Sequence, residues 1–311
     1  MYDISLIIPT YNVAEYLPRC LLSLDEQSFK NFEVILINDG SSDNSLDIIT
    51  DYCKDKTNCT VISQRNQGVS AARNVGMEKA SGKYLMFLDP DDSLPKDSLS
   101  NAFKAVSSDK YDFVIFKGYD MARKKAKYYR SSICFAIWDF SFLKKFNLTF
   151  DTRLESYEDR LLRNQAKYLS KHNTISEIAM YNRHLRPDSV TTSRDERLLQ
   201  HHIFISELEK FLKENNLYEK NRADFLFTKS DCYWRIFTRV KPSLKKRAIE
   251  FIKSDFLPEE ITYITENKVY RRAESLAKIF NANSFLGKVY LNLLIFKWSV
   301  KFKYNRFRRK L

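Results

Sequence analysis

The 311-residue chain has no unbroken apolar run of the length a membrane-crossing helix needs. Residues 285–300 come closest, and Lys288, Asn292 and Lys297 interrupt them. It also lacks a basic start followed by an apolar core and a small-residue cleavage site, so a cytoplasmic location is expected. The five cysteines (Cys20, Cys53, Cys59, Cys134, Cys232) are odd in number and have no C-x-x-C spacing. That pattern argues against a zinc site and a disulfide framework, and for ordinary reduced thiols. Glycine and proline are sparse beyond Pro187, so residues 194–311 read as almost wholly helical. No internal repeat and no low-complexity linker appears.

A hydrophobic content of 44% with 14% aromatics specifies a packed globule and excludes disorder. The formal net charge of +13 is unevenly spread: residues 1–100 carry a net of −6, residues 241–311 a net of +11. A basic tail suits nucleic acid or an anionic membrane leaflet, and composition alone does not choose between them.

The stretch Lys83 to Pro95, K-Y-L-M-F-L-D-P-D-D-S-L-P, is the most informative. A short apolar run bounded by turn residues predicts a buried parallel strand over 84–88. Asp89, Asp91 and Asp92 follow at its carboxyl end, where open α/β sheets bind ligands. Clustered hard oxygen ligands suit Mg2+ or Mn2+ held together with substrate phosphates. The same residues also make a good turn, with Asp92 or Ser93 able to cap a helix starting near Pro95.

The rest of the first half repeats a strand, polar loop, helix pattern. Strands are expected at Ile4 to Ile8, Glu33 to Asn38, Val61 to Ser63 and Tyr111 to Lys117, with further ones at 133–137 and 175–181. Helices are expected at 15–24, from Asn44 onward, 70–80, 99–106, 139–145 with Asp139 as its cap, and 158–169. Gly82 reads as a left-handed C-cap of the helix over 70–80. Such alternation implies right-handed βαβ units and a mainly parallel sheet, with the loops at 9–12, 38–43, 64–68 and 89–92 along one edge. Helices at 198–212, 221–239, 243–256, 258–280 in pieces and 286–302 follow a soft boundary near Ser193.

With these loops in view, the chain resembles the bacterial family 2 glycosyltransferases of the GT-A fold. The residues that carry the resemblance are S-L-I-I-P-T-Y-N from Ser5, V-I-L-I-N-D-G-S-S-D-N-S from Val34, N-Q-G-V-S-A-A-R-N-V-G from Asn66, Y-L-M-F-L-D-P-D-D from Tyr84 and Y-E-D-R-L-L from Tyr157. The resemblance implies an α/β GT-A domain over 1–193 and leaves 194–311 as an all-α add-on domain. It implies inverting, metal-dependent transfer of a hexose, galactose or glucose, from a UDP-sugar to a saccharide, lipid-linked saccharide or glycoprotein acceptor in cell-surface glycan synthesis.

By the same resemblance Tyr11 stacks on the base, Asp39 accepts from uracil N3–H, and Pro9 and Thr10 make contacts beside them. Arg65 would lie near the base and Arg73 near the ribose or diphosphate. Asp89 is assigned to the ribose and Asp91 to Mn2+ or Mg2+. Pro90 departs from the small polar residue expected between them, and its fixed φ stiffens the loop. Asp92 stays open between supporting the metal ligand and capping a helix. Asp159 is the expected base and Glu158 a binder of sugar hydroxyls. His184 is a third metal ligand or phosphate contact, with Arg183 or Arg186 offsetting the leaving diphosphate.

Each position has a plainer alternative: an Asx turn or helix cap at Asp39, a surface first-turn acid at Glu158-Asp159, a structural hydrogen bond at His184. The stripe Leu286, Val289, Tyr290, Leu293, Leu294 and Trp298, with basic residues around it, suits peripheral contact with the inner face of an anionic membrane. Packing on the add-on domain or in an oligomer interface is the alternative there. A non-catalytic nucleotide-sugar-binding scaffold is the competing function. A nucleic-acid partner is not expected, since only the basic tail speaks for one.

Overall fold

The computed structural model describes residues 2–108, 110–128, 132–185, 196–269 and 273–280. Four strands, β1 (Ile4–Thr10), β2 (Phe32–Asp39), β3 (Cys59–Gln64) and β4 (Tyr84–Phe87), run parallel. β1 and β4 are buried along their whole length and β2 nearly so, as their continuous apolar runs require of strands covered on both faces. β1 continues through Pro9 to Thr10, two residues past the expected end.

The other strands are β5 (Phe113–Asp120), β6 (Lys125–Tyr128), β7 (Ala136–Asp139) and β8 (Asn173–Arg183). The sheet order is β3-β2-β1-β4-β7-β5-β6, with β8 also paired to β5. β7 is antiparallel to both β4 and β5, so β5 points the same way as β4; β8 pairs with β5 in parallel. The carboxyl ends of β1 to β5 and β8 therefore lie toward one edge. β6 was not expected, because the alternation in K-A-K-Y spans only four residues and has no strongly apolar side chain beyond Tyr128 to announce a strand.

Helices α1 (Leu17–Asp25), α2 (Ser45–Cys53), α3 (Val69–Lys79), α4 (Ser98–Ser108), α5 (Phe140–Lys145) and α6 (Glu158–Leu169) connect the strands. Asp139 caps α5 as expected, accepting from the Ser141 and Phe142 N–H groups at 2.8 and 3.2 Å. α3 lies close on β1 and β2 because Ala72 and Gly76 face them. A Cβ on Gly76 would meet Ile7 Cγ2 at 2.4 Å.

Two expectations are corrected. Gly82 is not a left-handed C-cap: α3 ends at Lys79, Ala80 is extended, and the glycines with positive φ are Gly40 and Gly68. Gly82 is small because its backbone meets Ser5, whose N would lie 2.6 Å from an added Cβ. Cys53 and Cys59 are joined as a disulfide, with Cα atoms 5.2 Å apart, because the end of α2 turns straight back into β3. Cys20, Cys134 and Cys232 are buried free thiols.

The chain divides into two compact units, Met1–Ser189 and Val190–Leu311. In the second, α7 (His201–Glu214), α8 (Tyr218–Arg239), α9 (Lys245–Asp255), α10 (Pro258–Glu266) and α11 (Ala273–Phe280) are described. α8 is the central helix and packs against the other four. The Lys229 ammonium at its inner face meets Glu260 of α10 at 2.7 Å, both side chains almost fully buried. Glu260 also accepts from the Leu257 N–H at 3.0 Å, closing the first turn of α10. Among the described residues no helix is long and apolar enough to cross a membrane. The expected helix at 286–302 lies outside the described residues.

Replacing Gly76 with alanine should lower the urea midpoint by the equivalent of about 1–3 kcal/mol, the usual cost of overpacking a core. An unchanged midpoint would show that Ile7 moves aside freely.

Candidate active site

The loops at the sheet edge are tied to one another by side chains. Val13 N–H donates to Ser45 Oγ at 3.0 Å and Ala14 N–H to Asp43 Oδ2 at 3.0 Å, joining the turns after β1 and β2. Asn12, with φ 50°, accepts from the Ser42 N–H at 2.8 Å. Tyr11 between them is 48% exposed, so its ring is open to a planar partner. Thr10 is fully buried and its hydroxyl donates to the Ile8 carbonyl at 3.4 Å, while Pro9 is buried within β1.

Asp39 ends β2 and is nearly buried. Oδ1 accepts from Gln64 Nε2 at 2.7 Å and the Gln67 N–H at 2.9 Å, and Oδ2 from the Gly68 N–H at 2.8 Å. The local turn is made instead by Asn38, whose Oδ1 accepts from the Ser41 N–H at 3.2 Å. Asp39 is thus a clamp on the loop before α3. A carboxylate offers about four lone-pair positions, so this one retains room for a further donor. Gly40, with φ 74°, permits the approach: a Cβ there would meet the Asn66 nitrogen at 2.8 Å. Arg65 is exposed in the same loop.

The strongest electrostatic feature is Arg73 on α3, 5% exposed. Its Nη1 donates to Glu158 Oε1 at 2.7 Å and its Nη2 to Asp89 Oδ1 at 3.0 Å, while the guanidinium lies 5.2 Å from the Phe150 ring centre. Burial works against its charge, but the Asp89, Glu158 and Asp159 carboxylates raise its pKa further and keep it a cation. Arg73, expected near the ribose or diphosphate, binds together two acids that the sequence holds 69 positions apart. Asn74 adds a backbone brace, exchanging hydrogen bonds with Phe150 at 2.9 and 2.8 Å.

Glu158 and Asp159 open α6. Tyr157 before them sits at φ 74°, left-handed backbone that costs a side-chain-bearing residue about 1–3 kcal/mol and recurs at functional sites. Glu158 is buried against Arg73. Asp159 keeps part of its surface in solvent. Desolvation of its carboxyl, then the Glu158 charge, outweigh Arg73 and hold its pKa well above the ordinary carboxylate range. A carboxylate so shifted is tuned for proton transfer near neutrality.

The other acids surround the turn after β4. The Asp89 N–H donates to the Tyr181 hydroxyl at 3.1 Å, and the Cys134 thiol donates to Asp89 Oδ1 at 3.4 Å. Asp92 is 5% exposed and accepts from the His184 N–H at 2.7 Å. It does not cap a helix, since α4 begins only at Ser98. Burial, then the charges of Asp89 and Asp91, push the Asp92 carboxyl up to about 8. His184 Nε2 lies 3.1 Å from Ser93 Oγ. Burial and the nearby Arg19 lower the His184 pKa, which favours the neutral imidazole that ligates metals. Arg19 reaches from α1 to the Asp91 carbonyl at 2.6 Å.

Among the described residues no group of three or more His, Cys, Asp and Glu side chains is placed to hold a metal ion. The crowding of Asp91 and Asp92 nonetheless fits a divalent ion that takes one or two protein ligands and completes its shell from a diphosphate. Arg186 lies outside the described residues; Arg183 ends β8, next to His184. Tyr181, Cys134, Arg19 and Gln64 were not singled out from the sequence. Tyr181 lies on an expected strand, but nothing marks its hydroxyl as the partner of a loop 92 positions earlier.

A mainly parallel sheet with aromatic, acidic and basic groups along the carboxyl edge of its strands defines the class: an α/β enzyme of the kind that binds ligands at that edge. The sequence model of glycosyl transferase family 2 matches residues 5–187, and the chain belongs to that family. GlyA of Streptococcus pneumoniae serotype 4 is 35% identical over 126 residues, 40% of this chain but only 18% of the relative. EpsH of Bacillus subtilis is 28% identical over 249 residues, 71% of this chain and 72% of the relative. The fold is GT-A: the crystal structure of S. aureus TarS 1-349 in complex with UDP-GlcNAc superposes with a TM-score of 0.67 at 22% identity, covering 98% of this chain and 92% of that one.

Replacing Arg73 with leucine leaves Glu158 buried without its cation. Denaturant unfolding should show a loss of about 3–5 kcal/mol, the usual cost of breaking a buried pair from one side. A loss below about 1 kcal/mol would show that water or a rearranged side chain replaces the guanidinium.

Proposed function

We propose that the chain transfers a hexose, galactose or glucose, from a UDP-sugar to a saccharide hydroxyl with inversion, in the synthesis of a bacterial cell-surface glycan. The observation that carries the reading is the Arg73 bridge, which holds Asp89 beside the Glu158-Asp159 pair. One group suited to a donor ribose and one suited to an acceptor proton thus meet at one place.

In this reading Tyr11 stacks on the uracil, and Asp39, fixed by its clamp on the loop at 64–68, accepts from N3–H. Pro9 and Thr10 support the base-side turn and Arg65 flanks the base from its exposed loop. Asp89 takes the ribose. Asp91 and His184 would hold Mn2+ or Mg2+, and Arg183 would offset the departing charge. When bound, such an ion supplies positive charge to the leaving diphosphate.

Asp159 takes the proton from the acceptor hydroxyl as its oxygen bonds to the anomeric carbon from the face opposite the diphosphate. The carbon–oxygen bond to the β-phosphate breaks and UDP leaves with the electron pair. Arg73 holds Glu158 in place at 2.7 Å, where it binds the sugar hydroxyls, so the two neighbouring acids divide their work.

Asp159→Asn removes the proton acceptor and should lower kcat by about 10²–10⁴-fold with UDP affinity retained. Wild-type activity should rise with pH through the elevated Asp159 pKa, because the base works when ionised; the acid limb then lies above the ordinary carboxylate range. Near-wild-type transfer by Asp159→Asn would overturn the assignment. A stopped-turnover assay with UDP release measured with and without acceptor separates transfer from scaffold binding.

A further inference from the structure

The β5–β6 hairpin carries a charge surplus that the transfer reaction leaves unused. Its turn and second strand contain Arg123, Lys124, Lys125 and Lys127, all exposed or half-exposed. Arg183 stands opposite Asp120 in the β5–β8 register, and the Met121 N–H donates to the Arg183 carbonyl at 3.0 Å. Asp120, fully buried, organises the turn: it accepts from the Arg123 N–H at 3.0 Å and from Arg123 Nη1 at 3.2 Å, with Lys127 Nζ at 3.8 Å. Asp120 therefore pairs with two cations, Arg123 and Lys127. Burial, then repulsion from Arg123 and, beyond Asp120, from Arg183, lowers the Lys127 pKa, as expected where positive charge is in excess.

The position matters as much as the charge. β5 points the same way as β4, so the hairpin leaves the sheet at the edge where Asp89 to Asp92 lie. The residue after Arg183 is His184, whose N–H reaches Asp92 at 2.7 Å. The turn end of the hairpin is thus paired to the residue just before the one whose N–H meets the acidic turn. Lysines also guard exposed sheet edges, and β6 is an edge strand. An edge guard does not account for Arg123 and Lys124 in the turn, nor for Arg183 on β8. At the opposite end of β6 the charge is balanced, with Lys117 and Tyr128 both on Glu177.

We infer that the β5–β6 hairpin is a subsite for an anionic glycan acceptor: a chain bearing phosphodiester or carboxylate groups on its repeats, gripped beside the hydroxyl that receives the sugar. This rests on the transfer reading above. A row of cations along a hairpin suits repeated charges on an extended chain better than one isolated headgroup.

The test uses the full chain and two variants, Lys124→Gln/Lys125→Gln and the charge-keeping Lys124→Arg/Lys125→Arg, which leave the Asp120 contacts intact. Calorimetric titration is carried out with a glycerol-phosphate oligomer, an oligogalacturonate, a neutral dextran oligomer, a uridylate RNA oligomer and UDP. At least one of the first two should bind the wild type, more weakly as salt rises, and roughly tenfold more weakly to the glutamine variant, with binding restored by arginine. Which of the two binds names phosphate or carboxylate as the charge. UDP affinity should be the same in all three proteins.

Failure of both anionic oligomers to bind, equal binding of dextran, or tighter binding of the RNA oligomer would overturn the subsite. A matching loss of UDP affinity in the glutamine variant would also overturn it, assigning the hairpin to the donor. Intact UDP binding without oligomer binding would leave the donor reading standing while removing this one.

Discussion

One buried guanidinium holds the site together. Arg73 extends from α3 between Asp89 on the turn after β4 and Glu158 at the start of α6, so three elements distant in sequence share a single charge. Two carboxylates this close to each other and to Asp159 would otherwise repel or protonate. With the guanidinium between them, both carboxylates are held in place. Burial first, and then the neighbouring Glu158, raises the pKa of Asp159, against the opposing pull of Arg73. The close seating of α3 on the sheet, which Gly76 and Ala72 allow, fixes where that guanidinium lies.

The base-side and metal-side groups are held by different means. Asp39 is set by hydrogen bonds from the loop at 64–68, so the second and third strand ends move as one piece. The acidic turn after β4 is held from above by Tyr181 and His184, which come from the far end of β8, and from α1 by Arg19. The first unit thus places side chains from β1, β2, β3, β4, α3, α6 and β8 along one edge, as family 2 membership and the GT-A fold entail.

Much of this was legible in the chain because the signals are local. A five-residue apolar run ending in aspartates marks a buried strand and its carboxyl end, and the spacing of Leu161, Leu162, Ala166 and Leu169 marks α6 to the residue. What was not legible depends on pairing across the fold. K-A-K-Y forms a strand only because β5 offers an open edge to it. Gly82 is demanded by the approach of Ser5, not by its own φ, and the Cys53–Cys59 bridge by how sharply α2 returns to β3. Arg73 was recognised as a site residue, but its partners lie 16 and 85 positions away, and no spacing rule connects them.

The proposed function requires that the sheet edge take a nucleotide-diphosphate sugar with a divalent ion beside Asp91. The most direct measurement is thermal unfolding of the full chain with UDP-sugars, each with Mn2+ and with chelator. A ligand that binds only the folded state raises the midpoint by mass action. A UDP-sugar should raise the midpoint in Mn2+, lose most of that effect in chelator, and lose it again in Asp91→Asn. Equal protection with and without the metal, or no protection by any UDP-sugar, would contradict the account.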